Sequence, residues 1–366
     1  MRAAVLDEVG GTPTITEVGT SDLRAGEVLI AVRGVGICHT DLTVIDGALP
    51  QRTPLVLGHE GAGVVEAVGP GVTERVVGDH VICSFDSCGA CDRCLTGEPA
   101  YCRRFQEYNY AGARPDGSTT LFRDGRPLHG SWFGQSTWAT HAVASVRNTV
   151  SVDRSLPIET FGPLGCGLLT GAGAVLNVHA PSPGESYGVW GLGSVGLAAI
   201  MAAKASGCTT IVGVDPNPAR RDLARELGAT AAYEPADDLA KTLVRETGGL
   251  DYTLDTVGTG PVIGAAMMSL ASPGSCVTVG FRGPRNRIEV EQGHLLQGRT
   301  LRGVIEGDAD PHELIPRLVR MWSAGEFPFD RLVTTYPFDD IAAAIADFRA
   351  GAVIKPVLVP AVASHE

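Results

Sequence analysis

The chain has 366 residues, 44% of them hydrophobic and 19% charged, as expected for a globular protein with room for two domains. Its net charge of −12 argues against nucleic acid or an anionic membrane surface as a partner. The first residues contain no apolar signal segment, so the nine cysteines favour thiols or metal ligands over disulfides, and a cytoplasmic location. Glycines interrupt the uncharged run from Ser186 to Ala203, which indicates a strand, a turn and a helix rather than a membrane span.

The predicted elements fall into three parts along the chain. The first part is predicted to be β-rich, because Val- and Ile-rich runs such as "EVLIAVRGVGIC", "GAGVVEAVG" and "DHVICSF" are separated by Gly and Pro. From about residue 168, strands alternate with helices, from "SYGVW" and "SVGLAAIMAAKASG" to "RTLRGVIEG". This alternation predicts a parallel, doubly wound sheet with helices on both faces. Two helices, "ELIPRLVRMWSAG" and "DDIAAAIADFRAG", and a strand, "IKPVLVP", are predicted after residue 306.

Four cysteines form the most distinctive motif of the first part, in the stretch "CGACDRCLTGEPAYC". Their spacing allows four thiolates to surround one tetrahedral Zn²⁺ ion, and the segment is polar, compact and rich in turns. Two disulfides or four unrelated core cysteines are the alternatives. A four-thiolate shell leaves no open coordination position, so this zinc would be structural. The predicted ligands are Cys88, Cys91, Cys94 and Cys102.

The motif "GLGSVG" lies between a predicted strand and a predicted helix, which is the context of a dinucleotide-binding turn. Its glycines permit a tight turn, a close approach to a pyrophosphate and close packing of helix and strand. Asp215 ends the next predicted strand, where a carboxylate binds the adenosine ribose and repels a 2′-phosphate. The sequence therefore predicts NAD rather than NADP. Asp215 as a helix N-cap and Arg220 as a solvated charge are the alternatives to ribose contacts. The predicted cofactor-binding residues here are Gly191, Leu192, Gly193, Val195, Gly196, Asp215 and Arg220.

A second set of possible metal ligands is dispersed along the chain. "GICHTD" contains Cys38, "LGHEG" contains His59 and "PLGCGLLTG" contains Cys166. Each residue alone is most often a buried cysteine or a core histidine. Together, one His and two Cys form a ligand set that leaves the fourth position of a catalytic zinc to water or substrate.

These motifs occur in the order typical of one family. The stretch "GHEGAGVVEAVGPGV", the four-cysteine segment, "GCG" and "GLGSVG" followed by Asp215 resemble the zinc-dependent medium-chain alcohol dehydrogenases over essentially the whole chain. "ARPDGSTTL", "FGQSTWATHAV" and "EGDADPHELIP" are similar to the bacterial aryl-alcohol branch, which includes benzyl alcohol and geraniol dehydrogenases. The resemblance implies a β-rich GroES-like catalytic domain over residues 1–167 and 306–366, with the structural-zinc lobe at 88–102. It implies an NAD-binding Rossmann domain over residues 168–305.

The resemblance also implies roles for single residues. Cys38, His59 and Cys166 would hold the catalytic zinc, and Asp41 would orient His59. Thr40 would bond the substrate hydroxyl and begin a proton relay. Glu60 would lie behind the metal, with access to its shell, and Lys355 would place a cation near the cofactor pyrophosphate.

Two positions depart from the family pattern. His39 stands where many relatives carry an arginine on the pyrophosphate, and imidazole is a weaker, pH-dependent phosphate partner. Thr43 stands where the known proton relay has a histidine, so His39 or a chain of waters is left to release the proton.

The implied activity is NAD-linked oxidation of a primary aromatic or allylic alcohol to its aldehyde, and the reverse. Two zinc ions per chain, an apolar pocket built from Phe85, Trp132 and Phe133, and a homodimer or homotetramer are expected. Two alternative functions stay open. One is a thiol-dependent formaldehyde dehydrogenase acting on an S-hydroxymethyl adduct. The other is a non-catalytic NAD-binding zinc protein, which the complete set of three ligands argues against.

Overall fold

The fold is known from a computed structural model that describes residues 1–283 and 285–361. No helix among these residues is long and apolar enough to cross a membrane. The strands are β1 Arg2–Leu6, β2 Thr14–Glu17, β3 Gly19–Thr20, β4 Glu27–Gly36, β5 Leu55–Val56, β6 Glu60–Val68, β7 His80–Cys83, β8 Leu121–Arg123, β9 Arg126–Leu128, β10 His141–Ser145, β11 Thr149–Val152, β12 Ser186–Trp190, β13 Thr210–Val214, β14 Ala231–Tyr233, β15 Leu250–Asp255, β16 Leu270–Thr278, β17 Arg299–Gly303, β18 Val333–Pro337 and β19 Lys355–Val359. The α-helices are α1 His39–Ile45, α2 Asp92–Leu95, α3 Phe105–Asn109, α4 Gly167–Gly173, α5 Ser194–Ala205, α6 Pro218–Leu227, α7 Leu239–Thr247, α8 Gly260–Met268, α9 Gln292–Leu296, α10 Pro311–Ser323 and α11 Ile341–Ala350.

The chain divides into two compact units. Unit 1 comprises Met1–Cys166, Asp310–Pro316 and Asp330–Glu366, and unit 2 comprises Gly167–Ala309 and Arg317–Phe329. The predicted domain boundaries at 167/168 and 305/306 lie within a few residues of this division. The division differs in assigning residues 317–329, the second half of α10 and the turn after it, to unit 2. The functional assignment of the two domains stays a prediction.

Unit 1 is β-rich, as the first part of the sequence predicts. Its largest sheet has seven strands in the order β11-β7-β6-β4-β19-β18, and β10 pairs with β4. Neighbouring strands are antiparallel except for β18 and β19, so the C-terminal strand joins strands from the first part of the chain. Two three-stranded sheets, β2-β1-β5 and β3-β8-β9, complete the unit. Val28, Ile30, Val65 and Val81 are buried in one core cluster on the large sheet.

Unit 2 contains the predicted parallel, doubly wound sheet, and the prediction of fold class is confirmed. Its six strands run in the order β14-β13-β12-β15-β16-β17, and every neighbouring pair is parallel. The order reverses between β12 and β15, so the carboxyl ends of these two strands form the switch point where such sheets bind ligands. Residues 190–191 and 255–256 lie at that edge.

Helix α4 and the π-helical turn Ala174–His179 that continues it were not predicted. Three glycines in α4 lower its helix propensity, so the local sequence does not indicate a helix there. Packing explains one of them. A Cβ on Gly171 would lie 2.0 Å from the backbone oxygen of Val195, so glycine permits α4 to approach the start of α5.

Candidate metal centres and dinucleotide site

The three dispersed ligands come together in unit 1. Cys38 precedes α1, His59 precedes β6, and Cys166 follows the 3₁₀ turn Gly162–Gly165. One sulfur or nitrogen atom from each residue lies within 4.8 Å of the others. Three donors that converge in this way can bind one zinc ion and leave a fourth position for another ligand.

The hydrogen bonds of His59 leave one ring nitrogen for a metal. Its Nδ1 lies 2.9 Å from Oδ1 of Asp41, and a carboxylate can only accept, so Nδ1 carries the proton. Nε2 is buried and has no hydrogen-bond partner within the described part of the chain. A buried nitrogen lone pair without a partner is unfavourable unless a cation binds it. The residues present therefore fit a metal at Nε2.

The electrostatics of this cluster also favour a cation. A hydrogen bond from Cys166 holds the pKa of the Cys38 thiol well below its usual range, against the effect of burial, and His59 adds to this. Burial lowers the pKa of His59, but Asp41 and Cys38 together raise it well above its usual value. A field that favours a proton on Nε2 favours a metal ion there as well, and thiolate is the form of cysteine that binds zinc.

Glu60 and Lys355 form a buried ion pair beside Cys38. Lys355 Nζ donates to Oε1 of Glu60 at 2.9 Å, to Oε2 at 2.8 Å and to the carbonyl oxygen of Ile37 at 3.1 Å. A Cβ on Gly36 would lie 2.0 Å from Oε2, so glycine makes room for the carboxylate. The Lys355 ammonium therefore donates its hydrogen bonds to Glu60 and Ile37 within unit 1. Its contact with a cofactor pyrophosphate stays a prediction.

The residues proposed for proton transfer lie at the start of α1. His39 is exposed and Thr40 is half-buried. The Thr43 hydroxyl donates to the Thr40 carbonyl oxygen at 2.7 Å, so it is used within the helix. The roles of His39 and Thr40 stay predictions.

Two aromatic rings, Trp132 and Phe133, pack against His59. Phe133 stacks on its imidazole, with ring centres 4.4 Å apart and an angle of 21° between the planes. Tyr110 packs against both Trp132 and Phe133, at 5.5 and 5.3 Å. Phe85 belongs to the same cluster, which is completed by Phe105. Tyr110 also lines a cavity of about 840 Å³ in unit 1, with residues from 50–52, 111–119 and 127–129.

The sequence indicates Trp132 only as a pocket residue and does not single out Gln135, yet both contact His59 or its partner Asp41 from the segment after β9. Gln135 Nε2 donates to the His59 carbonyl oxygen at 3.0 Å, and Trp132 Nε1 donates to Asp41 at 3.0 Å. Both residues border or belong to the quoted stretch "FGQSTWATHAV". That stretch indicated the family branch, but sequence spacing alone does not show that it reaches His59.

The four clustered cysteines also converge. Their sulfur atoms all lie within 4.8 Å of one another, and no disulfide joins them. Four sulfurs bound to one tetrahedral zinc lie about 3.8 Å apart, from Zn–S bonds of about 2.3 Å. The sulfurs of Cys91 and Cys94 are 3.5 Å apart, and those of Cys88 and Cys94 are 3.9 Å apart. Hydrogen bonds from the backbone N–H groups of Arg103 and Cys94 lower the pKa of Cys91 to about 6. The cluster fits a structural zinc.

The "GLGSVG" turn of unit 2 has the geometry of a phosphate-binding turn between β12 and α5. Gly191 has φ +92°, and a Cβ there would lie 2.3 Å from Thr256 Oγ1. A Cβ on Gly196 would lie 1.9 Å from the Gly191 carbonyl oxygen, so helix and strand need glycine at this contact. A Cβ on Gly193 would meet nothing within 4 Å, which leaves space over the turn for a ligand. Gly193 is the N-cap of α5, and Val195 follows in its first turn.

Asp215 lies directly after β13 and is connected to this turn. Its Oδ2 accepts from the Leu192 N–H at 2.8 Å and its Oδ1 from the Asn217 N–H at 2.8 Å. The N-cap of α6 is Asn217, so the alternative of Asp215 as the helix cap is wrong. Arg220 Nη1 lies 3.9 Å from Oδ2. The residues fit a dinucleotide, and the ribose contacts stay predictions.

Comparison with known proteins gives the family. Residues 24–154 match the family model described as alcohol dehydrogenase GroES-like domain, and residues 194–322 match zinc-binding dehydrogenase. The geraniol dehydrogenase of Castellaniella defragrans is 46% identical over 363 residues, which cover 98% of this chain and 97% of that protein. The NDMA-dependent alcohol dehydrogenase of Amycolatopsis methanolica is 37% identical, with 98% of each chain covered.

A solved structure agrees with the sequence relatives. The benzyl alcohol dehydrogenase of Acinetobacter calcoaceticus superposes with a TM-score of 0.95 at 39% identity, covering 98% of this chain and 99% of that one. The resemblance found in the sequence is thereby confirmed. The chain belongs to the zinc-dependent medium-chain alcohol dehydrogenase family, in its aryl-alcohol branch.

Proposed function

We propose that this protein oxidises a primary aromatic or allylic alcohol to the aldehyde with NAD as the hydride acceptor, and catalyses the reverse reaction. The observation that carries the proposal is the convergence of Cys38, His59 and Cys166, with Nε2 of His59 left without a partner among the described residues. This is a three-donor site with one position free for the alcohol oxygen.

The proposed substrate class rests on the relatives and on the surroundings of His59. One relative is named geraniol dehydrogenase and one structural neighbour is a benzyl alcohol dehydrogenase. The rings of Phe133 and Trp132 lie next to the metal ligand His59, and Tyr110 packs against both of them. Flat, apolar substrates gain more binding free energy from contact with aromatic rings than ethanol does.

The proposed roles of single residues rest on the family resemblance and, for Asp41 and Lys355, also on their contacts. Zinc, when bound, would act as a Lewis acid that lowers the pKa of the alcohol. Asp41 holds His59 with Nε2 toward the metal site, and Thr40 receives the hydroxyl proton. His39, exposed at the start of α1, passes that proton to solvent in place of the usual histidine at position 43. Lys355 neutralises Glu60 behind the site.

NAD is proposed because Asp215 presents a carboxylate at the end of β13, beside the open turn at Gly193. A negative charge there would repel the 2′-phosphate of NADP. The Amycolatopsis relative is named for its dependence on NDMA, so NDMA belongs in the assay as an alternative acceptor. Two zinc ions per chain, a cytoplasmic location and a homodimer or homotetramer are parts of the same proposal. All nine cysteines are unbridged, which suits a reducing compartment.

The test is a parallel assay of benzyl alcohol, geraniol and ethanol, with NAD reduction followed at 340 nm and zinc measured on the same preparation. We expect turnover of the first two, a kcat/KM at least about tenfold lower for ethanol, which is about 1.4 kcal/mol, and about two zinc ions per chain. Cys166→Ser should abolish activity, and Cys208→Ser, a cysteine outside both clusters, should not.

Three results would change the proposal. Equal kcat/KM for ethanol and benzyl alcohol would remove the proposed substrate class. Turnover only with NDMA present would mean that free NAD is not the acceptor. Oxidation of formaldehyde that needs a small thiol would favour the alternative of an S-hydroxymethyl adduct.

A further inference from the structure

The segment formed by residues 131–136 contacts His59 and its partner Asp41 from several directions. Trp132 donates its indole N–H to Asp41, Phe133 stacks on the His59 ring, and Gln135 bonds the His59 carbonyl oxygen. Trp132 and Gln135 are essentially fully buried, and Phe133 nearly so. Three side chains of this segment therefore contact the metal ligand His59 or its partner Asp41.

The backbone of this segment is held in an unusual conformation. Ser131, Phe133 and Ser136 have φ of 58°, 51° and 51°, in the left-handed region that costs a non-glycine residue energy. The Ser136 hydroxyl accepts from the Trp132 N–H at 2.8 Å and donates to the Val56 carbonyl oxygen at 2.7 Å. These bonds fix Trp132 at its backbone, so the position of its indole is determined by the surrounding structure.

The Asp41 carboxylate accepts four hydrogen bonds, one of them from Trp132. Its Oδ1 accepts from Gly58 N at 3.2 Å, from His59 Nδ1 at 2.9 Å and from Trp132 Nε1 at 3.0 Å. Its Oδ2 accepts from Cys38 N at 3.2 Å. Among these donors, only the indole comes from outside the segments that carry the metal ligands. It therefore ties the Asp41 carboxylate to a separate part of unit 1.

We propose that Trp132 is a positioning residue of the metal site: its indole N–H fixes the Asp41 carboxylate, and through it the His59 ring, in the orientation that binds zinc. The inference rests on the proposed metal site at Cys38, His59 and Cys166. Partners behind a metal-bound histidine typically change metal affinity by about 10- to 100-fold when removed. A buried carboxylate that loses a donor is free to rotate or to seek another partner, and His59 follows it.

The chain provides a matched control. Trp138 is also fully buried and packs against Gly58, the residue before His59, but its Nε1 has no hydrogen-bond partner within the described residues. Trp132→Phe removes ring volume and the donor to Asp41, whereas Trp138→Phe removes ring volume and an N–H that has no partner among the described residues. Trp132→His restores the donor, because Nε2 of histidine occupies the place of Nε1 in a five-membered ring.

The experiment measures the rate at which zinc is released from each full-length protein to a chelator, without substrate or cofactor. Two release phases are expected, one for each proposed zinc ion. We expect the faster phase, from the site at Cys38, His59 and Cys166, to be about tenfold faster in Trp132→Phe than in the wild type. Trp138→Phe should stay within about twofold of the wild type, and Trp132→His should lie closer to the wild type than Trp132→Phe does. The visible spectrum of the Co²⁺-substituted protein should change in Trp132→Phe and not in Trp138→Phe, because it reports ligand geometry. If Trp132→Phe does not fold, Trp132→Met, whose side chain has no N–H or O–H donor, replaces it.

The outcomes separate this inference from the proposed function. Equal release rates and Co²⁺ spectra for Trp132→Phe and the wild type would overturn the inference alone. Equal acceleration in both tryptophan variants would do the same, since packing would then explain it. A wild-type protein that holds zinc only at the four-cysteine cluster would overturn the proposed function together with the inference.

Discussion

The Lys355 ammonium lies 2.8 Å from one carboxylate oxygen of Glu60 and 2.9 Å from the other, and both side chains are buried. The pair joins β19, near the end of the described chain, to the first residue of β6. Burial raises the pKa of Glu60, and the Lys355 charge opposes that rise. Each charge is tolerated because the other is present, so removal of one partner leaves a buried charge uncompensated.

We expect Lys355→Met to lower the free energy of unfolding by about 3–5 kcal/mol, the usual effect of breaking a buried ion pair. Unfolding in urea at pH 7 measures it. The double variant Lys355→Met/Glu60→Gln should recover much of the loss, because no charge is then left unpaired. Lys241→Met, at an exposed lysine, is the control and should change stability by less than about 0.5 kcal/mol. A double variant no more stable than Lys355→Met would show that the loss comes from packing.

The second prediction separates the two proposed zinc sites. Cys94→Ser should reduce zinc from about two to about one per chain, because three thiolates bind the structural ion less well. We expect a marked fall in Tm, since structural zinc contributes to folding, while kcat per folded molecule is kept. Zinc analysis, a thermal melt and kcat on the same preparation measure this. Cys208→Ser is the control, as a half-buried cysteine outside both clusters. Loss of kcat with an unchanged Tm would contradict a structural role.

Much of the fold could be predicted because its signals are local. The alternation of strands and helices in unit 2 follows from short apolar runs and glycine turns, and the sheet order agrees with it. The four cysteines could be recognised for the same reason, since all lie within one short segment. Helix α4 could not, because Gly171 weakens the local signal and is required by a contact with Val195, which is distant in sequence.

The metal site of unit 1 shows more clearly what local sequence signals cannot predict. Cys38, His59 and Cys166 could be proposed as a set from their donor types and from the family resemblance, although no local spacing joins them. The hydrogen bond from Trp132 to Asp41 spans 91 positions and depends on left-handed backbone at Ser131 and Phe133. No propensity predicts such a conformation for non-glycine residues. Tertiary structure was needed to find it.

The third prediction tests cofactor choice. Asp215→Asn removes the negative charge, and the side-chain oxygen can still accept from Leu192 or Asn217. We expect the ratio of kcat/KM with NADP to that with NAD to rise at least about tenfold, which corresponds to about 1.4 kcal/mol. Asp222→Asn, at an exposed carboxylate of the neighbouring helix α6, should leave the ratio unchanged. If both variants keep the wild-type ratio, Asp215 does not select the cofactor.

The fourth prediction concerns acid stability and a buried histidine of unit 2. Nδ1 of His179 lies 2.8 Å from the Tyr187 hydroxyl, its ring packs on Tyr252, and Nε2 is buried without a partner within the described residues. Burial, with a smaller effect of Arg302, lowers the pKa of His179 to about 3. The folded state therefore binds this proton less readily than the unfolded state, whose histidine pKa is about 6.5.

The sign follows from that difference. The stabilising effect of neutral His179 is complete above about pH 6.5 and is lost progressively as the pH falls toward 3. The loss of this stabilisation between pH 7 and pH 5 amounts to about 2 kcal/mol. His179→Gln keeps a polar group for Tyr187 but has no ring to titrate. We expect this variant to lose about 2 kcal/mol less stability than the wild type between pH 7 and pH 5. Urea unfolding at pH 7, 6 and 5 measures it. Tyr187→Phe keeps the histidine buried, so it should lower stability at every pH and retain the wild-type slope. Parallel curves for His179→Gln and the wild type would mean that other groups determine the acid sensitivity.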